Sequence, residues 1–431
     1  MEGCCLEAEP RVDHPDKDGE NRQTRSRESR APGVGAAWKG EGMTFDIVFA
    51  LLNGINLSII IMNIPPVLSE LMGLYDVSYT RISVLMSALL WMHAAMQLPA
   101  GMIVDRLGIR RTQFLSLVCL AVGNAMPAVS PDLAWGIGGR MIAGVGTGLG
   151  WLATLKMLAI WAPGGRAGAF QAFFAGIFSL GSILAYLLLP VIIRAGWRWV
   201  FLIPALLCLL MLALVPALRP TPASPAHPSL PFGRMVRTPL PWVLGIYHAL
   251  SYGSMLSLGN WVPSLLAEVS LRQSATQLAW GGALVMLVSG VARLLGGFVI
   301  LRISPLAVLH GSLLVLGILF AGMAAGGAAG VVLGLALLAA WFGSINFGAL
   351  FQLASRSAAA DSLGTMLGFV NLLGNLGAVA FTLLFGWSKD ALGSFTWGFA
   401  VLSPLAAVTL AAGWRILGSR LSAEEGKHGS A

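Results

Sequence analysis

Arg293, Gln97, His93 and His248 interrupt long apolar runs and are the residues whose chemistry packing explains least. An ionisable side chain among hydrocarbon is costly, so each is a candidate for solute contact. Arg293 stands nine residues before Arg302, the basic end of its run. At 1.5 Å per helical residue that is a depth of ~14 Å. A guanidinium there offers a permanent charge and a planar fork of donors, which suits a planar anion. His93 and Gln97 are spaced i, i+4 on one helix face, and so are His248 and Tyr252. Such histidines can bind solute or carry protons near neutrality, although a single histidine on an apolar helix more often serves as a packed donor.

Amides add a second layer. Asn53, Asn56 and Asn63 recur at i, i+3 and i+10, and Gly364, Gly368, Asn371 and Asn375 at i, i+4, i+7 and i+11. These stripes either line a solute path or let helices approach closely. Arg140 falls ~10 Å inside the outer end of a helix that starts near Leu133, where it meets solute or holds the first helix. No Asp or Glu lies in the middle of an apolar run. Coupling would then use a proton on a histidine, or a counter-transported anion. Cys4, Cys5, Cys119 and Cys208 have neither disulfide nor metal spacing, so no metal and no cofactor are expected.

The elements that must position these groups are membrane helices. Of 431 residues, 56% are hydrophobic and 11% charged, against about 25% charged in a soluble domain. From Met43 onward nearly every window of about 20 residues is apolar enough to cross a bilayer. Twelve spans are expected, near 44–69, 79–104, 110–129, 132–160, 167–194, 197–217, 240–267, 276–301, 304–325, 328–356, 362–388 and 395–417. The fold class is therefore all-α integral membrane, with bundles over 43–217 and 240–417, a Pro-rich linker over 218–239 and a tail over 418–431. Residues 1–42 carry nine acidic and seven basic residues and read as a disordered polar tail. Met43 opens the first apolar run directly, which raises it as an alternative start. The net charge of +8 is spread over short connectors, which implies no nucleic-acid partner. Placing both termini in the cytoplasm puts nine connector arginines inside against five basic residues outside. The partners implied are a small-molecule substrate and membrane lipid, and a monomer is expected.

Between the second and third spans stands Gly101-Met-Ile-Val-Asp105-Arg106-Leu-Gly108-Ile-Arg110-Arg111. The glycines suit a close helix approach and a tight turn, Asp105 can pair across a helix end, and the arginines can hold a neighbouring helix. Lys156, near the same end of the fourth span, reads as snorkelling. A shift of 196 residues lays 97–106 on 293–302, so Gly101 meets Gly297, and lays Gly181 on Gly377. Repeats joined by a linker are a transporter architecture, with the solute at midplane between them.

These residues resemble the major facilitator superfamily. The Gly101–Arg111 run is similar to its loop between helices two and three, with Ile109 as an extra residue, and the resemblance implies a gating latch there. Arg140-x-x-x-Gly144-x-Gly146, Arg166 after Ala162-Pro163, and Gly196-Trp197-Arg198 resemble further motifs. Arg293-Leu-Leu-Gly296-Gly297 and Gly374-Asn375-Leu-Gly377 resemble runs in the nitrate/nitrite porters and their anion:cation symporter relatives. Those porters have a second arginine where this chain has Gln97, which favours a different monoanion or a larger solute with one acidic group. Leu301 stands where a second latch would have an acid. The resemblance implies a carrier that moves a small anion by alternating access. Substrate would sit among Arg293, Gln97, His93, Arg140, His248, Tyr252, Asn53, Asn56, Asn371 and Asn375. Two rivals stay open. One is an exporter of hydrophobic or cationic compounds lined by Trp91, Trp151 and Trp341. The other is a transport-silent membrane sensor. No acid/base dyad or activated nucleophile at depth suggests an enzyme.

Overall fold

In the computed structural model the described residues are 40–129, 132–161, 167–220, 236–270, 273–356 and 363–428. Arg166, Asp361, most of the polar tail and the linker prolines Pro222, Pro225, Pro228 and Pro231 lie outside them. The chain divides into Met1–Thr44 and Phe45–Ala431, and the second unit is the one described below.

The described chain is all-helical. Nine helices are long and apolar enough to cross a membrane, and the bent pair Phe45–Ile61 with Pro65–Tyr75 makes a tenth candidate among the described residues. In order, α1 is Gly40–Ile61, α2 Leu68–Tyr75, α3 Tyr79–Ala95, α4 Pro99–Val129, α5 Leu133–Trp161, α6 Ala167–Ile192 and α7 Trp199–Leu214. After the linker come α8 (Pro239–His248), α9 (Ser254–Val269), α10 (Ala275–Val299), α11 (Pro305–Ala324), α12 (Ala329–Ile345), α13 (Phe347–Arg356), α14 (Leu363–Leu392) and α15 (Thr396–His428).

Several expected spans are broken. The run 79–104 stops at Ala95 and restarts at Pro99. Proline has no N–H to continue the ladder and pushes the residue before it out of the helical region. Gln97 therefore sits in a turn between α3 and α4. The α4 range contains a kink at Gly108, whose φ of 78° and ψ of 166° glycine adopts readily. Between α8 and α9 the backbone widens into a π-helical turn over Ala249–Gly253. The run 328–356 breaks at Asn346.

Small residues set the packing. A Cβ on Gly123 would come 2.4 Å from the backbone of Ala143, and one on Gly144 would come 2.2 Å from the Leu89 carbonyl. Hence α4, α5 and α3 meet backbone to backbone, as helices do in lipid where no hydrophobic drive separates helix from solvent. Hydroxyls bridge other helices: Ser58 with Ser182 at 2.7 Å and Ser289 with Ser344 at 2.6 Å. Two glycines that the 196-residue shift aligns both pack against other helices. Gly181 of α6 lies on Ile55 and Ser58 of α1, and Gly377 of α14 lies on Ala249, next to α8.

Contacts between the two sequence halves are uneven along the helices. At one end the Asp390 carboxylate accepts the backbone N–H groups of Tyr79 and Thr80 at 3.1 and 2.7 Å. The Tyr186 hydroxyl donates to the Gly259 carbonyl. Close approach continues as far as Gly368 on Leu98 and Gly176 on Leu294. Beyond that it stops, since a Cβ on Gly101 or on Gly297 would meet nothing within 4 Å. The close approach expected at Gly101 is thus absent, since that glycine faces open space.

This packing predicts opposite outcomes for two glycines. Gly144→Val should cost roughly 1–3 kcal/mol or prevent folding, as overpacking does. Gly101→Ala should be neutral to mildly stabilising, within about 0.5 kcal/mol. Thermal unfolding of the detergent-solubilised variants checks both.

Candidate functional site

The turn holding Gln97, the π-turn after His248 and the break at Asn346 gather the polar residues into one seam. Gln97 Nε2 lies 2.9 Å from His93 Nε2, and His93 Nδ1 lies 3.0 Å from the Thr147 hydroxyl. Thr147 donates to the Gly144 carbonyl at 2.9 Å. On the other side Asn371 Nδ2 donates to Gln97 Oε1 at 2.7 Å, and His248 Nε2 lies 3.4 Å from Asn371 Oδ1. One assignment satisfies every partner. His248 donates to Asn371, Asn371 to Gln97, Gln97 to His93, His93 through Nδ1–H to Thr147, and Thr147 to the backbone. Five hydrogen bonds thus run head to tail across the two sequence halves, and such chains polarise one another. The short Gln97–Asn371 bond is the link that joins the halves.

Arg293 ends this seam on the second-half side. Its guanidinium carbon lies 5.3 Å from the Tyr252 ring centroid and 5.4 Å from that of Phe347. Tyr252 stacks on His248 at 5.0 Å and 13°, and Phe351 meets His248 edge-on at 5.4 Å. Arg293 Nε is sealed from solvent without a partner. No hydrogen bond or ion pair joins this guanidinium to any described residue, and its two terminal nitrogens are not sealed. A buried cation between aromatic rings, with its outer donors open, can accept a planar anion end-on.

The other candidates sit elsewhere. Arg140, 1% exposed, donates to the Ile60 and Ile61 carbonyls and to Asn63 Oδ1 at 2.6, 3.3 and 3.0 Å. It closes the broken C-terminus of α1, where the last carbonyls lack helical partners. Asn53 donates to Gln113 and Thr154 at 3.2 and 3.0 Å, and Asn56 to the Cys208 sulfur at 3.1 Å. Asn375 donates to the Asn371 carbonyl at 2.9 Å and steadies that turn of α14. In the loop, Asp105 pairs with Lys156 at 2.5 Å, so Lys156 is a partner and not a snorkelling cation. Arg106, Arg110 and Arg111 hold no described neighbour by hydrogen bond or ion pair. Of the aromatic candidates, Trp151 packs on Phe174 and Phe178 at 5.1 and 5.3 Å, and Trp91 is largely exposed.

Sequence reasoning missed Thr147, Phe347 and Phe351. The phenylalanines carry a signal, an i, i+4 aromatic pair directly after Asn346. Thr147 carries none, since it is one hydroxyl in a run of glycines.

The sequence model of the Major Facilitator Superfamily matches residues 47–382. A stretch of 130 residues, 30% of the chain, is 26% identical to the D-galactonate transporter of Escherichia coli O6:H1 strain CFT073 and covers 30% of that protein. A stretch of 128 residues is 29% identical to the uncharacterized MFS-type transporter EfpA of Mycobacterium tuberculosis and covers 24% of it. The chain is therefore matched over less than a third of either relative's length.

The two arginines should respond in opposite ways to removal. Arg140→Ala strands buried acceptors and should destabilise by about 1–3 kcal/mol. Arg293→Ala removes a cation with no described bond and should leave the unfolding midpoint unchanged or raise it. Thermal unfolding in one detergent, without added anion, compares them directly.

Proposed function

The chain belongs to the Major Facilitator Superfamily, and on that premise we propose that it is a secondary active transporter moving a small anion by alternating access. The free guanidinium of Arg293 is the observation that carries this reading. Gln97, His93, Asn371, His248 and Tyr252 complete the proposed site, while Arg140, Asn53, Asn56 and Asn375 support the helices around it. A single cation favours a solute with one carboxylate or a comparable flat oxyanion over a polyanion. The D-galactonate transporter among the relatives has a solute of that charge. A cation exporter is the weaker reading, because a fixed positive charge in the seam repels its cargo.

Around this site we propose twelve membrane helices in two six-helix repeats, 43–217 and 240–417, joined by the cytoplasmic linker 218–239. The matched packing of Gly181 and Gly377 supports the repeat. Both termini and the Gly101–Arg111 loop lie in the cytoplasm of a cell membrane, in accord with the arginine count. The open space at Gly101 and Gly297 supports reading this arrangement as inward-facing, with closure to the outside resting on Asp390 with Tyr79 and Thr80. Return to the outward state must break the outer contacts and re-form close approach at Gly101, where Asp105 and the loop arginines act as the latch. Coupling falls to a proton on a histidine of the seam or to exchange of one anion for another.

Uptake into proteoliposomes of radiolabelled nitrate, nitrite, cyanate, mono- and dicarboxylates and sugar acids tests the reading. One anion class should be taken up, with a half-saturation concentration about ten- to hundredfold higher in Arg293→Ala, the worth of a lost charged hydrogen-bond pair. Uptake indifferent to Arg293 would sink the proposed site. Uptake of cations or neutral apolar compounds alone would favour export.

A further inference from the structure

A cationic cavity lies away from the seam, at the end that carries the Gly101–Arg111 loop. It encloses 580 Å³ between α4 and α7, with Arg106, Arg110 and Arg111 on one wall and Leu212, Val215 and Pro216 on the other. None of the three arginines has a hydrogen bond or ion pair to a described residue. Two nearby carboxylates are already committed, Asp105 to Lys156 and Asp46 to Arg219. The linker that continues from Pro220 contains no Asp or Glu before α8 and brings no counter-charge.

The rim of this cavity is apolar and outward-facing. Phe114 and Leu107 line the cavity and are 49% and 38% exposed, and further along α7 from Leu212 the side chains of Leu209 and Leu210 are 51% and 66% exposed. In a membrane-spanning chain such side chains face acyl tails. A ligand for this cavity must therefore join a negative head to an apolar body. We propose that the cavity holds the phosphate headgroup of an anionic phospholipid, with its tails along Phe114 and the exposed face of α7. Basic pockets between helices at this membrane face are suited to such heads. Three guanidiniums exceed what one zwitterionic head neutralises, so a net negative lipid is selected. Arginine forks bind phosphate oxygens in pairs, which adds geometry to charge. The site is independent of the transported solute.

Native mass spectrometry of the full chain released from nanodiscs of mixed phosphatidylcholine and phosphatidylglycerol tests this. Phosphatidylglycerol should be retained well above its share of the bilayer. Its retention should fall about fivefold for each of Arg110→Gln and Arg111→Gln, the worth of one basic residue near an anionic surface. Leu212→Trp keeps every charge but fills the cavity, and it should abolish the enrichment. Retention that mirrors the bilayer composition in the unaltered protein would overturn the proposal without recourse to any variant. Enrichment that survives both Arg→Gln changes and Leu212→Trp would also overturn it. Displacement by millimolar inorganic phosphate would make this a free-anion site instead.

Discussion

A guanidinium held between helices without a counter-charge is the constraint on which the rest of the structure turns. Removing such a group from water costs several kcal/mol. Two ring contacts of the kind made by Tyr252 and Phe347 return about 0.5–2 kcal/mol each. The balance is unfavourable, and the protein leaves it so. Arg140 shows what a structural arginine looks like in the same fold, with two carbonyls and an amide around its head. The contrast between the two separates a guanidinium bonded to the backbone around it from one with no described hydrogen-bond partner.

The seam around Arg293 depends on helices that are interrupted where chemistry is needed. Pro99 stops the ladder ahead of it and leaves Gln97 in a turn, from which it reaches both His93 and Asn371. The π-turn after His248 brings His248 and Tyr252 into parallel stacking. Such irregular backbone is tolerated at membrane depth only where protein or a cavity lines it. The hydrogen-bonded chain from His248 to Thr147 joins the two sequence halves through a single side-chain link at Gln97. A link of one bond contributes about 1 kcal/mol net.

Much of this was legible in the residue string. Apolar run lengths give the membrane helices, and the depth of Arg293 below Arg302 marks it as the principal candidate. The i, i+4 pairs His93/Gln97 and His248/Tyr252 do meet at the seam, although Gln97 lies in a turn and Tyr252 in a π-helical turn. Other features depended on partners that sequence spacing cannot reveal. Asn53 and Asn56 look like solute-facing amides until Gln113, Thr154 and Cys208 are placed beside them. Gly101 reads as a close-approach glycine, yet it faces open space, and which helix stands opposite a glycine is set by tertiary packing and not by local spacing. The helix breaks at Gln97 and Asn346 were hidden inside continuous apolar runs, where hydropathy has no contrast to offer.

The central claim is that Arg293 binds the solute directly, and thermal unfolding of the purified protein across a panel of anions tests it most simply. The account predicts that one class of monoanion raises the unfolding midpoint of the unaltered protein saturably and has no effect on Arg293→Ala. An equal rise in Arg293→Ala, or stabilisation by cations and neutral compounds but by no anion, would contradict it.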